Sequence, residues 1–162
     1  MTGMKLVLLC SLGLALAAAA AEEAQPVFKV HPVGVVVKKD GKTMLRIHEK
    51  YAKALTGLDG FSHVAVLYWF DRNDTPAKRS VLQVHPRGNR NNPLTGVFAC
   101  RAPVRPNLIA FSVCRVRSVE GNVVFVDRID AFDSTPIIDM KPHIPSIDCP
   151  KDVQLPVWLK KR

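Results

Sequence analysis

Apolar and polar positions alternate along the chain in short blocks punctuated by Gly, Pro, Asn and Asp. Phe28 to Val37 is rich in β-branched residues but is broken at Pro32 and Gly34, and Pro32 confines part of it to an edge or a bulge. The polar stretch 38–42 carries Asp40-Gly41, the dipeptide that a tight hairpin turn needs, so Met44 to His48 is predicted to pair back. Ile47, Tyr51, Leu55 and Leu58 then recur on one helical stripe, closed by Gly57 and Gly60. His63 to Phe70 is an unbroken apolar run, which predicts a central strand covered on both faces. A polar connection, 71–77, leads to a short strand at Val81 to His85 and a basic loop at 86–96. Strands at Gly96 to Cys100 and Leu108 to Arg117 flank Arg101-Ala102-Pro103-Val104-Arg105-Pro106-Asn107. Glu120-Gly121-Asn122 is a hairpin turn, Val123 to Asp130 pairs back, and Ile137 to Met140 is the last strand before a Pro-rich tail. Many short strands with regular turns predict a mainly β protein: a small closed or nearly closed β-barrel with one short helix.

The start of the chain follows a different rule. Lys5 precedes an apolar run, Leu6 to Ala21, whose alanine-rich end gives way to Glu22 and Glu23. That is the pattern of an export signal, so residues 1–21 are expected to be a leader and the protein to be periplasmic or secreted. An uncleaved anchor is the alternative, and a cytoplasmic protein results if this segment is not a signal. The barrel is then expected over 27–150, with a tail at 151–162. A chain of 162 residues supports one domain, and 48% hydrophobic residues is too apolar for disorder. With 23 Lys and Arg against 14 Asp and Glu, the formal charge is +9, which favours polyanionic partners. Cleavage removes Cys10. Cys100, Cys114 and Cys149 remain, and permit either a Cys100–Cys114 disulfide, if their strands are neighbours, or three free thiols.

Much chemistry lacks its residues. The five histidines share no i, i+2 or i, i+4 spacing, and HExxH and CxxC are absent. Asp127, Asp130, Asp133 and Asp139 cluster in sequence, but not in a calcium-loop pattern. No GxSxG, GxGxxG or Walker loop occurs. The arginines say more. Arg101 and Arg105 stand in a loop stiffened by Pro103 and Pro106, a display suited to forked contacts with phosphate or carboxylate. An ordinary solvated basic loop is the bland alternative.

Four stretches in order carry a resemblance: Val33-Gly34-Val35-Val36, then Leu58 to His63 running into Val66 to Asp71, then Gly96 to Asn107, then Ile129 to Pro142. Together they resemble the TsaA-like, or TrmO-type, family of S-adenosylmethionine-dependent methyltransferases. The resemblance implies a small β-barrel, commonly a homodimer, that binds S-adenosylmethionine and N6-methylates threonylcarbamoyladenosine at position 37 of tRNA. It places Asp71, Arg72, Arg101, Phe111, Asp133, Ser134, Thr135 and Pro136 beside the cofactor. It sets Arg105 and Lys141 toward RNA, and makes Asp133 the candidate for handling the acceptor's proton. No metal is required. The chain departs from the family pattern in several places. Ser134 stands where Gly is usual in an Asp-Gly-Thr-Pro turn, which predicts a strained backbone there. Leu108 and Ala110 replace a Pro and a Gly, and 38–50 lacks a Pro-Arg-Gln-Gly-like segment. Because an exported protein meets neither tRNA nor this cofactor, a second expectation stands beside the first: a non-catalytic barrel that binds a small anionic ligand or a protein partner.

Overall fold

A computed structural model describes residues 26–160. The expected leader, 1–21, and Cys10 lie outside the described residues. Six strands close into a barrel: β1 (Gly34–Lys39), β2 (Lys42–Ile47), β3 (His63–Trp69), β6 (Ile109–Glu120), β7 (Val123–Val126) and β8 (Pro136–Pro142). Their order around the barrel is β1-β2-β7-β6-β3-β8, and every neighbouring pair is antiparallel. Two short strands, β4 (Gln83–Val84) and β5 (Thr95–Gly96), pair separately in the long excursion between β3 and β6. The mainly β barrel read from the sequence is therefore the observed fold, with several short helical turns in place of one helix.

Local chemistry explains the strand ends. Asp40 and Gly41 both have positive φ, 50° and 72°, so the β1–β2 hairpin turns through two left-handed residues, as its right-handed twist favours. β3 sits between β6 and β8, and Val64, Ala65, Val66 and Tyr68 are all buried, as the unbroken apolar run predicts. The barrel interior is filled by Val36, Leu45, Val64, Val66, Val124 and Ile137, with Cys114 among them.

Four expectations are corrected. The segment before Gly34 is not a strand; Val27 and Phe28 are 87% and 84% exposed, and pairing starts only beyond Pro32. The stripe after Ile47 forms 3₁₀ turns, Glu49–Leu55 and Leu58–Gly60, rather than an α-helix. Of Gly96 to Cys100 only Gly96 belongs to a strand, since pairing with β4 covers Thr95–Gly96 and Val97–Ala99 turns away. β7 stops at Val126 because the Asp127 carboxylate takes the next position in the ladder: the Arg115 N–H donates to its Oδ1 at 2.8 Å. The polar connection also holds an α-turn, Pro76–Arg79, capped by the Thr75 hydroxyl.

Cys100, Cys114 and Cys149 are all free, so the disulfide alternative is not the one observed. Burial, with the Asp127 charge as a lesser cause, pushes the Cys114 thiol up to about 12. Among the described residues no group of His, Cys, Asp or Glu could hold a metal ion.

Candidate functional site

The C-terminal end of β3 meets the start of β6 in register, Trp69 opposite Ile109. At this end the chain leaves β3 through a 3₁₀ turn, Asp71–Asn73, and returns to β6 through the proline-stiffened loop 101–107. That loop is braced from outside. Arg79 Nη1 donates to the Pro106 carbonyl at 2.9 Å, while its Nε donates to Asp74 Oδ1 at 2.8 Å and the guanidinium lies 5.3 Å from the Trp69 ring centroid.

Two hollows open here and share a wall. The smaller, about 210 Å³, is lined by Trp69, Phe70, Asp71, Arg72, Arg101, Pro103, Phe132 and Thr135 among others. The larger, about 1050 Å³, is lined by Arg87, Phe98, Arg105, Phe111, Ser112 and Arg128 among others. Tyr68, Phe70, Arg101 and Asp130 line both. Tyr68 is buried, and its hydroxyl donates to the Asp130 carbonyl and lies 3.2 Å from Ser112 Oγ. Burial raises the phenol above its ordinary range, opposed by the Ser112 hydrogen bond, so Tyr68 is a neutral donor at physiological pH.

Three arginines lie over aromatic rings around these hollows. Arg72 Cζ is 3.9 Å from the Phe132 centroid, Arg101 Cζ 5.4 Å from that of Phe111, and Arg105 Cζ 5.9 Å from that of Phe98. Each pairing holds a planar guanidinium without consuming its hydrogen-bond donors. Arg72, Arg101 and Arg105 make no salt bridge among the described residues, where such pairs are Arg79–Asp74, Lys141–Asp139 and His143–Asp148. Phe98 and Phe132 are 79% and 60% exposed, an open aromatic surface beside unpaired positive charge.

The sequence-derived site residues divide accordingly. Asp71, Arg72, Arg101 and Thr135 come together in the smaller hollow, and Arg101, Arg105 and Phe111 in the larger. Pro136 opens β8 and Ser134 builds the preceding bend; neither lines a hollow. Ser134 has φ 65°, the left-handed conformation expected where Gly is usual. The bend is tied to β1, with Ser134 N–H donating to the Val36 carbonyl at 2.8 Å and Val36 N–H to the Thr135 carbonyl at 2.9 Å.

Asp133 belongs to this scaffold. The Lys38 N–H donates to its Oδ1 at 2.8 Å and the Ser134 hydroxyl to its Oδ2 at 3.1 Å. Those two hydrogen bonds, the Lys38 one foremost, hold its carboxyl below the usual range, which makes it a poorer base, and it is not among the residues that line either hollow. Lys141 also lies elsewhere. It pairs with Asp139 at 2.8 Å and sits opposite Ala65, toward the far end of β3 from Trp69.

Asp133 makes a pH prediction. Its pKa is depressed in the folded state, so its contribution to stability is complete above the unfolded value near 3.9. The contribution is lost as the pH falls through the lower folded value. Asp133→Ala should lower the thermal midpoint at neutral pH, and the gap from wild type should close as the pH is taken toward about 2. Paired melts across that range check it; a gap independent of pH contradicts the role of the charge.

Residues missed from the sequence are Tyr68, Trp69, Phe98, Arg128, Asp130 and Phe132. All lie within the motif stretches except Arg128, which directly precedes the last of them, and an Arg-and-aromatic pattern at the strand ends is the signal that points to them.

Comparison with known proteins places this geometry. The family model of the tRNA-methyltransferase O N-terminal domain matches residues 27–149. A probable S-adenosyl-L-methionine-binding protein of Methanocaldococcus jannaschii is 44% identical over 124 residues, covering 76% of this chain and 98% of that protein. The human tRNA (adenine(37)-N6)-methyltransferase is 37% identical over 112 residues, covering 69% of this chain but 25% of the human protein. The crystal structure of TrmO from Pseudomonas aeruginosa superposes with a TM-score of 0.65 at 27% identity, over 85% of this chain and 64% of that one. The chain thus spans less than two thirds of the solved TrmO.

Proposed function

The chain belongs to the family of tRNA-methyltransferase O N-terminal domains, and on that premise we propose that it binds S-adenosylmethionine and methylates N6 of the threonylcarbamoyl-bearing adenosine 37 of tRNA. The observation that carries this is the shared wall: Tyr68, Phe70, Arg101 and Asp130 face both hollows, so two ligands can meet there.

The smaller hollow fits the cofactor by its donor set. Arg72 and Arg101 suit a carboxylate, Asp71 and Asp130 suit an ammonium and a sulfonium, and Trp69, Phe70 and Phe132 suit a purine face. When bound, S-adenosylmethionine supplies a methyl group whose leaving group is a neutral thioether. The protein's part is alignment, holding an acceptor nitrogen where that methyl can be reached. Asp130 is the carboxylate on the shared wall, and it receives the proton the nitrogen loses; Asp133 keeps the bend closed.

The larger hollow takes the nucleic acid. Arg87, Arg105 and Arg128 meet phosphates, and exposed Phe98 offers a platform on which an unpaired base stacks. A family homodimer would bring a second chain to the β6 wall of this hollow, where Ile109, Phe111 and Val113 are exposed, so that the nucleic acid enters between the two chains; a light-scattering mass of one chain contradicts it.

The test is methyl transfer to tRNA with and without the threonylcarbamoyl group, read by nucleoside mass spectrometry. Methylated product only from the modified tRNA supports the proposal, and no product from either contradicts it. Phe98→Ala should weaken tRNA binding about tenfold or more, as loss of one stacked base implies.

The leader-like pattern at Met1 to Ala21 favours a second reading, an exported, non-catalytic barrel whose cleft binds a small anionic ligand or a protein. Cell fractionation with mass spectrometry of the N-terminus separates the two. A chain starting at Met1 or Met4 in the cytosol contradicts export.

A further inference from the structure

At the opposite end of β3 from the hollows, a second group of reactive side chains assembles. β8 ends at Pro142, and the His143 N–H donates to the His63 carbonyl at 3.0 Å, which fixes the next residue against the start of β3. Pro145 then opens a four-residue helical turn, Pro145–Asp148, that folds the chain back over His143. The Asp148 carboxylate closes the turn, accepting from the Ile144 N–H at 2.7 Å. The same oxygen, Oδ2, lies 3.2 Å from His143 Nδ1, a nitrogen shielded from solvent that makes no aligned hydrogen bond. On the other side of the ring, His143 Nε2 lies 3.8 Å from the sulfur of Cys149. The His63 ring meets the His143 ring edge-on, with centroids 6.4 Å apart, and Ser62 Oγ lies 2.8 Å from His63 Nδ1. The imidazole is therefore held between a carboxylate and a thiol, in the order acid, base, nucleophile.

Cys149 differs from the other two cysteines in what surrounds it. Its residue is exposed, whereas Cys114 is sealed in the barrel and Cys100 is half-buried with its thiol 3.8 Å from the Val97 carbonyl. Of the three cysteine sulfurs, that of Cys149 is the one with an imidazole nitrogen, His143 Nε2, beside it.

We propose that Cys149 is a His143-assisted thiol that exchanges with low-molecular-weight disulfides of the glutathione class, making residue 149 a site of reversible S-thiolation. His143 Nε2 takes the proton from Sγ, and the Cys149 sulfur attacks one sulfur of the disulfide. A new S–S bond forms as the reagent's own S–S bond breaks, and the departing thiolate takes up the proton. One disulfide is consumed and one is made, so no further oxidant is needed. Asp148 acts through His143, as a positioning residue. The chemistry asks only for an accessible thiol and an adjacent base, and it is independent of methyl transfer at the other end of the barrel.

The test uses the reduced full chain and glutathione disulfide, with each cysteine followed by peptide mapping and mass spectrometry. An unstructured synthetic peptide of residues 145–152 serves as the reference thiol. Cys149 in the protein should form the mixed disulfide about tenfold faster than in the peptide, and ahead of Cys100 and Cys114. His143→Gln should remove that advantage, and added imidazole should restore part of the rate in His143→Ala. Equal rates in protein and peptide overturn the proposal. So does an undiminished rate in a His143→Gln protein with the wild-type circular dichroism spectrum. If that variant does not fold, the wild-type comparison with the peptide decides alone.

Discussion

Arg101→Ala should weaken S-adenosylmethionine binding by about 10- to 100-fold, the range for losing a charge-assisted hydrogen bond in a partly enclosed site. Arg101 lines both hollows, lies over Phe111 and has no salt-bridge partner among the described residues. Its charge and its fork are both free for a ligand. Arg101→Lys should recover only part of the loss, because a lysine keeps the charge but neither forks nor stacks in the same way. Arg117, exposed further along β6 and outside both hollows, is the control; Arg117→Ala should leave affinity unchanged. Calorimetric titrations of the three variants check the order. An Arg101→Ala affinity equal to wild type would remove Arg101 from the site.

The second large effect is on folding. Gly34 opposes Ile47 on β2 and Ile137 on β8, at the point where β1 joins both neighbours. A Cβ added there would lie 2.9 Å from both Ile47 Cα and Ile47 Cδ1 and would collide with the Arg46 carbonyl oxygen. Two of those atoms are backbone, so a rotamer change cannot relieve the overlap. Gly34→Ala should cost about 3 kcal/mol or more, at the upper end for overpacking a core. Gly60, whose added Cβ meets nothing within 4 Å, should tolerate alanine within about 0.5 kcal/mol. Urea titrations of both variants test this, and similar losses at the two positions would contradict the close approach at Gly34.

The parts of the fold legible in the sequence were those set by local rules. The run from His63 to Phe70 needs cover on both faces and has neighbours on both sides. Asp40-Gly41 can adopt the left-handed pair that a two-residue hairpin requires. Parts set by a competing side chain were not legible. The apolar stripe at Tyr51, Leu55 and Leu58 is too short to separate a period of 3.6 from one of 3.0, and 3₁₀ turns suffice to bury Leu55. Nothing in Val123 to Asp130 announces that the Asp127 carboxylate will accept the Arg115 N–H and end the strand.

The site shows the same division. The resemblance placed the arginine loop and the Asp-Ser-Thr-Pro bend at one rim, and Arg101, Pro103 and Thr135 do share a hollow. Asp71 was placed at that hollow from the sequence, but which acid of the segment 130–133 faces it was not legible there. Asp130 and Asp133 are three residues apart, and the choice between them rests on the Lys38 N–H and the Ser134 hydroxyl, which hold Asp133 in the bend. Phe98 and Phe132 stood out only once the chain was folded, as aromatic rings left exposed beside arginines.

The most direct measurement is calorimetric titration of the folded chain with S-adenosylhomocysteine, the demethylated product, which binds without reacting. Saturable binding of one ligand per chain, abolished or strongly weakened by Arg101→Ala, is the expected result. A folded wild-type protein that takes up no ligand would contradict the assignment of the shared-wall cleft to this cofactor.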